Sequence, residues 1–573
     1  MGAGKWTEDL GHWFRGRRVC ILPDNDPPGQ KHAQDVARKL AGIAAEIRIL
    51  NLPGLGPKGD IIDWLNDGHT KDELLNLLEN TPSWQPTTIR QEEAISIQAN
   101  ENLYQEFVKQ IPWTQENIEK LISYNLTEAG NAELFRDLVG NSFRFIPERG
   151  VWVRFDGVRW KEDSDSASLQ MLAIVRKRID AANLTAGLHV DERRAKVIKW
   201  ALVSESNHHL KAALEIASWM LAKKYTEFDQ DPWLLCCANG VLDLRLDGNG
   251  FRQAKPDDWL HRSCGIAYDP DAECPQWMRF QEEICCGDQE LIRFKQLAYG
   301  YSLTGLTSEQ CLFLCWGTGA NGKSTELAIL ESLLGEYAIS TPASTFKEKY
   351  YSNDSIPNDI ARMVGARLVK TIEVKEHARL NEERIKALTG GDRICARFLH
   401  REYFDFWPIA KIWIAANHKP IIKGTDEAIW RRIRLIPYLA YFPPEKRDYK
   451  LIDKLRDELA GILKWAVDGC YLWQIHGLKP AKAVHEATQE YRQESDVIGQ
   501  FLAECTVTGE DKRVKAGDLW EAYQRWCGGK GNEEISQTAF GRKIRERGFL
   551  KVSQKGYPYY SGIGLKDDWV DSF

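Results

Sequence analysis

Residues 312–334 read LFLCWGTGANGKSTELAILESLL. An apolar run stops at a loop with three glycines, and Lys323 and Ser324 stand where an amphipathic helix begins. A short strand that is apolar on both sides belongs in a parallel sheet covered by helices, so this segment predicts an α/β core. Gly317–Ser324, GTGANGKS, fits G-x-x-x-x-G-K-[ST]. Free backbone N–H groups and the helix dipole favour phosphate there, and the glycines let the backbone wrap closely round it. The expected ligand is a nucleoside triphosphate with Mg²⁺, held by Gly317, Thr318, Gly319, Ala320, Asn321, Gly322, Lys323, Ser324 and Thr325. Lys323 would neutralise the β- and γ-phosphates and Ser324 would hold the metal. Lys323 is expected to lie outside the core.

Such a loop needs an acid at the end of a neighbouring strand. ARLVKTIEVKE (366–376) offers Glu373. KIWIAANHKP (411–420) ends a strand in Asn417, an amide suited to reading a γ-phosphate or its water. Between them, two alternating segments flank His400-Arg401-Glu402, which predicts a β-hairpin. GTDEAIWRRIRLIP then clusters Arg431, Arg432 and Arg434, whose planar charge suits a transition state.

The chain has 573 residues and a formal net charge of −6, which excludes a uniformly basic protein but not local nucleic-acid patches. No apolar run reaches the roughly 18–20 residues of a membrane span, and the N-terminus lacks a signal-peptide core. Thirteen cysteines without a CxxC pair predict thiols in a cytoplasmic protein. Pattern changes suggest a strand–helix–strand unit at 1–85, a linker at 86–115, a mixed α/β region at 116–300, the loop-bearing domain at 301–475 and a helical tail with a β end at 480–573.

The order of loop, acid, hairpin, asparagine and arginines resembles the superfamily 3 helicases, in particular the phage and plasmid primase–helicase family related to poxvirus primases. GTGANGKST, RIKALTGGDRICARFLH, WIAANHKP and GTDEAIWRRIRLIP carry the resemblance, with ANGVLDL, YDPDAECPQW, LAYGYSLTG, LTEAGNAELF and GVWVRFDGVRW upstream. It implies an AAA+-like ATPase and a hexameric ring that hydrolyses ATP with Mg²⁺ and translocates on single-stranded or fork DNA. It assigns catalytic roles to Lys323, Asn417 and either Glu373 or Glu376. It gives metal binding to Ser324 and Glu373, DNA contact to His400 and Arg401, and the role of a finger reaching the neighbouring ATP to Arg431 or Arg432. A phage, prophage or other mobile element in a bacterial cytoplasm is the expected setting, with replication proteins as possible partners and no membrane.

ILPDNDPPG places Asp24 and Asp26 after a strand, and KGDIIDW adds Asp60 and Asp63. Acids at strand ends can hold Mg²⁺, and the pattern resembles the second half of a Toprim domain. With no counterpart for that domain's glutamate or a four-cysteine module, primer synthesis is not expected. The tail resembles a winged helix. SQTAFGRKIRERGF would be its recognition helix, with Arg542, Lys543, Arg545 and Arg547 on DNA, and its wing would carry Lys555, Tyr557 and Tyr559. A full primase–helicase and a DNA-binding ATPase that does not unwind are the alternatives.

Overall fold

The structure is a computed structural model that describes residues 13–56, 59–84, 102–185, 191–248, 250–348, 358–372, 378–397, 403–424, 426–530, 534–554, 556–566 and 569. The chain divides into two units, 1–112 and 113–573. In the first, β1 (Arg18–Ile21) and β2 (Glu46–Ile49) pair in parallel through the crossover helix α1 (Pro27–Leu40). Two short helices follow, α2 (Ile61–Asn66) and α3 (Lys71–Asn80). Each starts on a capping box, Asp60 with Asp63 and Thr70 with Glu73.

The second unit opens with helices α4 (Gln115–Ser123) and α5 (Glu128–Val139). The antiparallel sheet β3 (Phe143–Ile146), β4 (Val151–Phe155), β5 (Trp160–Glu162) comes next. Helices α6 (Ser164–Leu184) and α8 (Asn207–Met220) pack against it, and α7 (Asp191–Ser204) packs on those two helices. A second small antiparallel sheet, β6 (Leu234–Cys237), β7 (Gly240–Asp243), β8 (Phe251–Arg252), leads to α9 (Pro275–Ile284) and α10 (Gln289–Leu303).

The centre is a five-stranded parallel sheet. Its strands are β9 (Leu312–Trp316), β10 (Ala338–Ser340), β11 (Leu368–Ile372), β14 (Lys411–Ala416) and β15 (Ile433–Pro437), in the order β10-β11-β14-β9-β15. Helix α11 (Lys323–Leu334) follows β9. Helix α12 (Glu382–Gly390) and the antiparallel hairpin β12 (Ile394–Arg397), β13 (Tyr403–Phe406) stand between β11 and β14. Alternate residues of β9 enter two different cores: Phe313 and Cys315 join one, Leu312 and Leu314 the other. This is why the strand reads as an unbroken apolar run. The first core also takes in α10 and α13 (Leu459–His476), which cross at glycines. A Cβ on Gly300 would stand 2.0 Å from the Cys470 backbone N, and one on Gly469 would stand 2.2 Å from the Gln296 carbonyl oxygen.

The tail holds α14 (Lys482–Ser495), α15 (Val497–Cys505), β16 (Thr506–Lys515), α16 (Ala516–Lys530), α17 (Gln537–Glu546), β17 (Lys551–Gln554) and β18 (Tyr557–Leu565). The three strands form an antiparallel sheet in the order β16-β18-β17. The sequence reading missed α15 and β16. TVTGEDKRVK carries a glycine and a charge run mid-strand, where the pairing with β18 shifts register between Thr508 and Arg513. Among the described residues no helix is long and apolar enough to cross a membrane.

Candidate functional site

All five central strands are parallel, so their carboxyl ends share one edge. Ala416 pairs with Trp316, Pro437 pairs with Trp316 on the other side, and Ile372 pairs with Ala415. The chain leaves β9 toward β10 at one side of the sheet and returns through β14 to β15 on the other. The order therefore reverses at β9, the place where open α/β sheets take ligands. The loop 317–322 sits on that edge, and Gly317 N–H donates to the Ala416 carbonyl at 3.4 Å. Asn417, the next residue along, is exposed beside the loop's start.

Two glycines are required by geometry. A Cβ on Gly317 would lie 2.4 Å from both Asn321 Nδ2 and the Tyr438 carbonyl oxygen. Gly322 caps α11 with φ of 86°, and a Cβ there would meet Ile284 at 2.5 Å. The helix N-terminus after it carries no side-chain cap, which leaves its amide donors open to an anion.

Lys323 is buried, 4 % exposed, where the sequence placed it outside the core. Its ammonium donates to the Gly317 carbonyl at 2.6 Å and to Asn321 Oδ1 at 3.1 Å. Among the described residues it has no carboxylate partner. Burial pulls its pKa below the ordinary lysine value. Ser324 and Thr318 are exposed, and Thr325 is half-buried. The donor set fits a polyphosphate with a divalent ion: open amides, a cation without a counter-charge and an exposed hydroxyl.

Behind the loop lies a buried polar cluster that sequence reasoning missed. Glu326 on α11 accepts from Lys295 Nζ at 2.6 Å, from the Tyr438 hydroxyl at 2.6 Å and from Gln281 Nε2 at 3.4 Å. The Tyr438 carbonyl in turn accepts from Asn321 Nδ2 at 3.2 Å. One continuous network therefore runs from α9 and α10 through α11 to the asparagine that holds Lys323. Burial pushes the Tyr438 phenol well above its ordinary value and the Cys315 thiol up to about 12. Nothing in the local pattern distinguishes Glu326 from a solvated helix residue.

Glu373 and Glu376 lie outside the described residues, as do His400, Arg401 and Lys555. The hairpin stem that would carry His400 and Arg401 is present, with Arg397 opposite Tyr403. Arg431 and Arg432 precede β15, at the amino edge of the sheet, opposite the loop. Arg432 is buried, with Nε donating to Thr389 Oγ1 at 3.1 Å and its backbone carbonyl accepting from Leu312. Arg431 is exposed and contacts Gln310 Oε1 at 2.8 Å.

In the first unit, Asp26 Oδ1 accepts from Gly29 N–H at 2.7 Å, so it serves the start of α1. Asp60 accepts from Ile62 and Asp63 N–H as the cap of α2. Among the described residues no group of three His, Cys, Asp or Glu side chains converges as a metal site. The metal reading of Asp24 and Asp26 therefore has no third ligand there. Local capping accounts for Asp26, Asp60 and Asp63.

In the tail, Arg547 is ion-paired with Asp496 and Lys543 donates to the Lys423 carbonyl at 3.1 Å. Arg542 reaches Glu546 at 3.8 Å on an exposed helix face. Arg545, Lys515, Lys551 and Tyr557 line a concavity of about 640 Å³. Lys515 was not anticipated, because β16 was not.

The fold and site define an α/β protein with an anion-receptive glycine loop at the switch point of a parallel sheet. Residues 132–286 match the family described as D5 N terminal like, and 493–563 match Poxvirus D5 protein-like. Over parts of its length the chain is thus similar to poxvirus D5 proteins. It is 27% identical over 418 residues to L207/L206 of Acanthamoeba polyphaga mimivirus, named as a helicase, covering 66% of this chain and 43% of that one. It is 25% identical over 328 residues to C962R of an African swine fever virus isolate, named as a primase, covering 52% and 33%. The chain thus spans less than half the length of these curated relatives. A solved C-terminal region of NrS-1 covers 52% of this chain and 77% of that one at 13% identity and a TM-score of 0.34, a likeness that carries no argument. These named relatives are viral, and nothing in them supports a phage or a bacterial host. Nor does a relative named as a primase support the expectation that primer synthesis is absent.

Proposed function

We propose that the chain is an ATP-dependent DNA helicase of a replication system, an AAA+-like superfamily 3 motor working as a hexameric ring on single-stranded and fork DNA. The observation that carries this reading is Lys323. It is a buried cation with no carboxylate partner among the described residues, at the uncapped start of a helix, on the edge where Asn417 also emerges. The Thr318–Gly322 backbone with Lys323 and Thr325 would cradle the phosphates, and Ser324, with Glu373 or Glu376, would hold Mg²⁺. When bound, Mg²⁺ would offset phosphate charge. Asn417 would orient the γ-phosphate or its water.

Arg431 is the better finger, because Arg432 is fixed in the core by Thr389. Arg431 precedes β15 at the edge opposite its own loop, which supports a role toward a neighbouring subunit's ATP. His400, Arg401 and the tail residues Arg542, Lys543 and Arg545 would contact DNA. The test is a fork-unwinding assay with ATP. Strand displacement that is lost in Lys323→Ala is expected. DNA-stimulated ATPase without displacement would favour a loader or initiator instead.

The relative named as a primase gives a second reading, a bifunctional primase–helicase with the winged-helix-like tail and Toprim-like first unit as accessory parts. Template-dependent oligonucleotides from labelled ribonucleotides with Mg²⁺ or Mn²⁺ would establish it.

A further inference from the structure

The hairpin's described stem carries chemistry separate from its tip. Ala396 and Phe406 point into the core beneath the sheet. Cys395, Tyr403 and Asp405 are exposed on the other side, and Arg397 stands directly opposite Tyr403. The Arg397 guanidinium lies 4.8 Å from the Tyr403 ring centre. Just outside the stem, Arg393 lies 4.9 Å from the ring centre of Trp407. These two cation–ring pairs are four residues apart on each strand, roughly 13 Å along the hairpin.

Trp407 is 60% exposed and Tyr403 53%. Asp405 reaches Arg393 at 3.7 Å across an exposed surface, a weak contact. Arg397 has no carboxylate partner among the described residues. An open aromatic face beside a guanidinium, exposed at Arg393 and half-buried at Arg397, repeats along one surface and matches the alternation of base and phosphate along a nucleic-acid strand. A protein partner covering this face would have to desolvate two cations with only Asp405 to balance them.

We propose that the outer face of the β12–β13 stem is a stacking platform for single-stranded nucleic acid. Bases stack on Tyr403 and Trp407, and phosphates meet Arg397 and Arg393. This rests on the helicase reading and adds to it a sequence-tolerant grip on the bases, beyond charge contacts at the tip.

The test compares two fluorescent probes on the full chain with a non-hydrolysable ATP analogue: an oligothymidylate and an abasic oligonucleotide of equal length and charge. The wild type should bind the thymidylate about tenfold or more tighter, since stacking is worth that much per base. Tyr403→Ala with Trp407→Ala should erase this preference, whereas Tyr403→Phe with Trp407→Phe should retain it, which excludes a folding defect as the cause. Arg393→Gln with Arg397→Gln should weaken both probes alike and reduce the salt slope. Equal binding of the two probes by the wild type, or an unchanged preference in the alanine pair, would overturn the platform while leaving the helicase reading intact. Failure of the wild type to bind either probe would overturn the helicase reading and the platform with it.

Discussion

Lys323 and Lys411 are both buried lysines without a carboxylate among the described residues, and their settings give opposite expectations. Lys323 faces the loop, where an incoming polyphosphate supplies the missing charge. Lys323→Ala should lower ATP turnover by orders of magnitude with the far-UV spectrum unchanged, and a steady-state ATPase assay reads it. Turnover near wild type would remove the phosphate assignment. Lys411 begins β14 and donates to the carbonyls of Thr304, Leu306 (3.4 Å) and Ile409 (3.1 Å). Burial, then the nearby Arg367 guanidinium, holds its pKa well below the ordinary value. The unfolded chain binds that proton up to about pH 10.4. Between the depressed folded value and that point, unfolding takes up a proton, so this group's contribution to stability falls as pH falls. Thermal melts of Lys411→Met and wild type between pH 7 and 9.5 should show the mutant's relative Tm highest at the low end and declining as pH rises. A pH-independent difference would mean the ammonium is charged in the fold.

At the scale of elements, the α10–α13 crossing depends on backbone contact. Gly300 meets the Gly469–Cys470 peptide so closely that a methyl group has no space, and rigid backbone on the facing helix cannot yield cheaply. Gly300→Ala should destabilise the second unit by about 1–3 kcal/mol or more, seen in urea titration. The same contact explains why LAYGYSLTG has a glycine in mid-helix despite the propensity cost. Helix α17 shows how an element's charge divides by context. Of its cluster, Arg547 holds Asp496, while Arg545 turns into the concavity with Lys515 and Lys551. Arg545→Ala with Lys551→Ala should therefore weaken duplex binding and its salt dependence more than Arg547→Ala does, measured by fluorescence anisotropy at two ionic strengths.

At the scale of the whole molecule, the loop and Arg431 stand at opposite edges of one parallel sheet. A subunit cannot bring them together by itself, so a ring with head-to-tail contacts is the arrangement that would. Mixing Lys323→Ala with Arg431→Ala should recover part of the ATPase, because some interfaces then join an intact loop to an intact arginine. Arg432→Ala should instead lower the melting temperature, since it removes the Thr389 contact inside the core. No recovery from verified mixed oligomers would count against a finger acting between subunits.

The sequence by itself determined the local pieces. An apolar strand, a glycine loop and a helix start are read from spacing within some twenty residues, and so are the hairpin stem and the parallel unit around Asp24. Each depends on periodicity and backbone chemistry that neighbours in the chain supply. The tertiary structure decided which residues meet. It put Asn417 level with Gly317, Arg431 on the far edge and Arg432 in the core. It gave Asp26 and Asp60 to helix starts, joined Glu326 to Lys295 and Tyr438, and added β16 with its lysine to the tail sheet. The physical reason is that a carboxylate, a guanidinium or an ammonium has the same local signature in water as in a buried network. Its partner is set by strand order and helix packing, and those arise from apolar contacts between segments far apart in sequence.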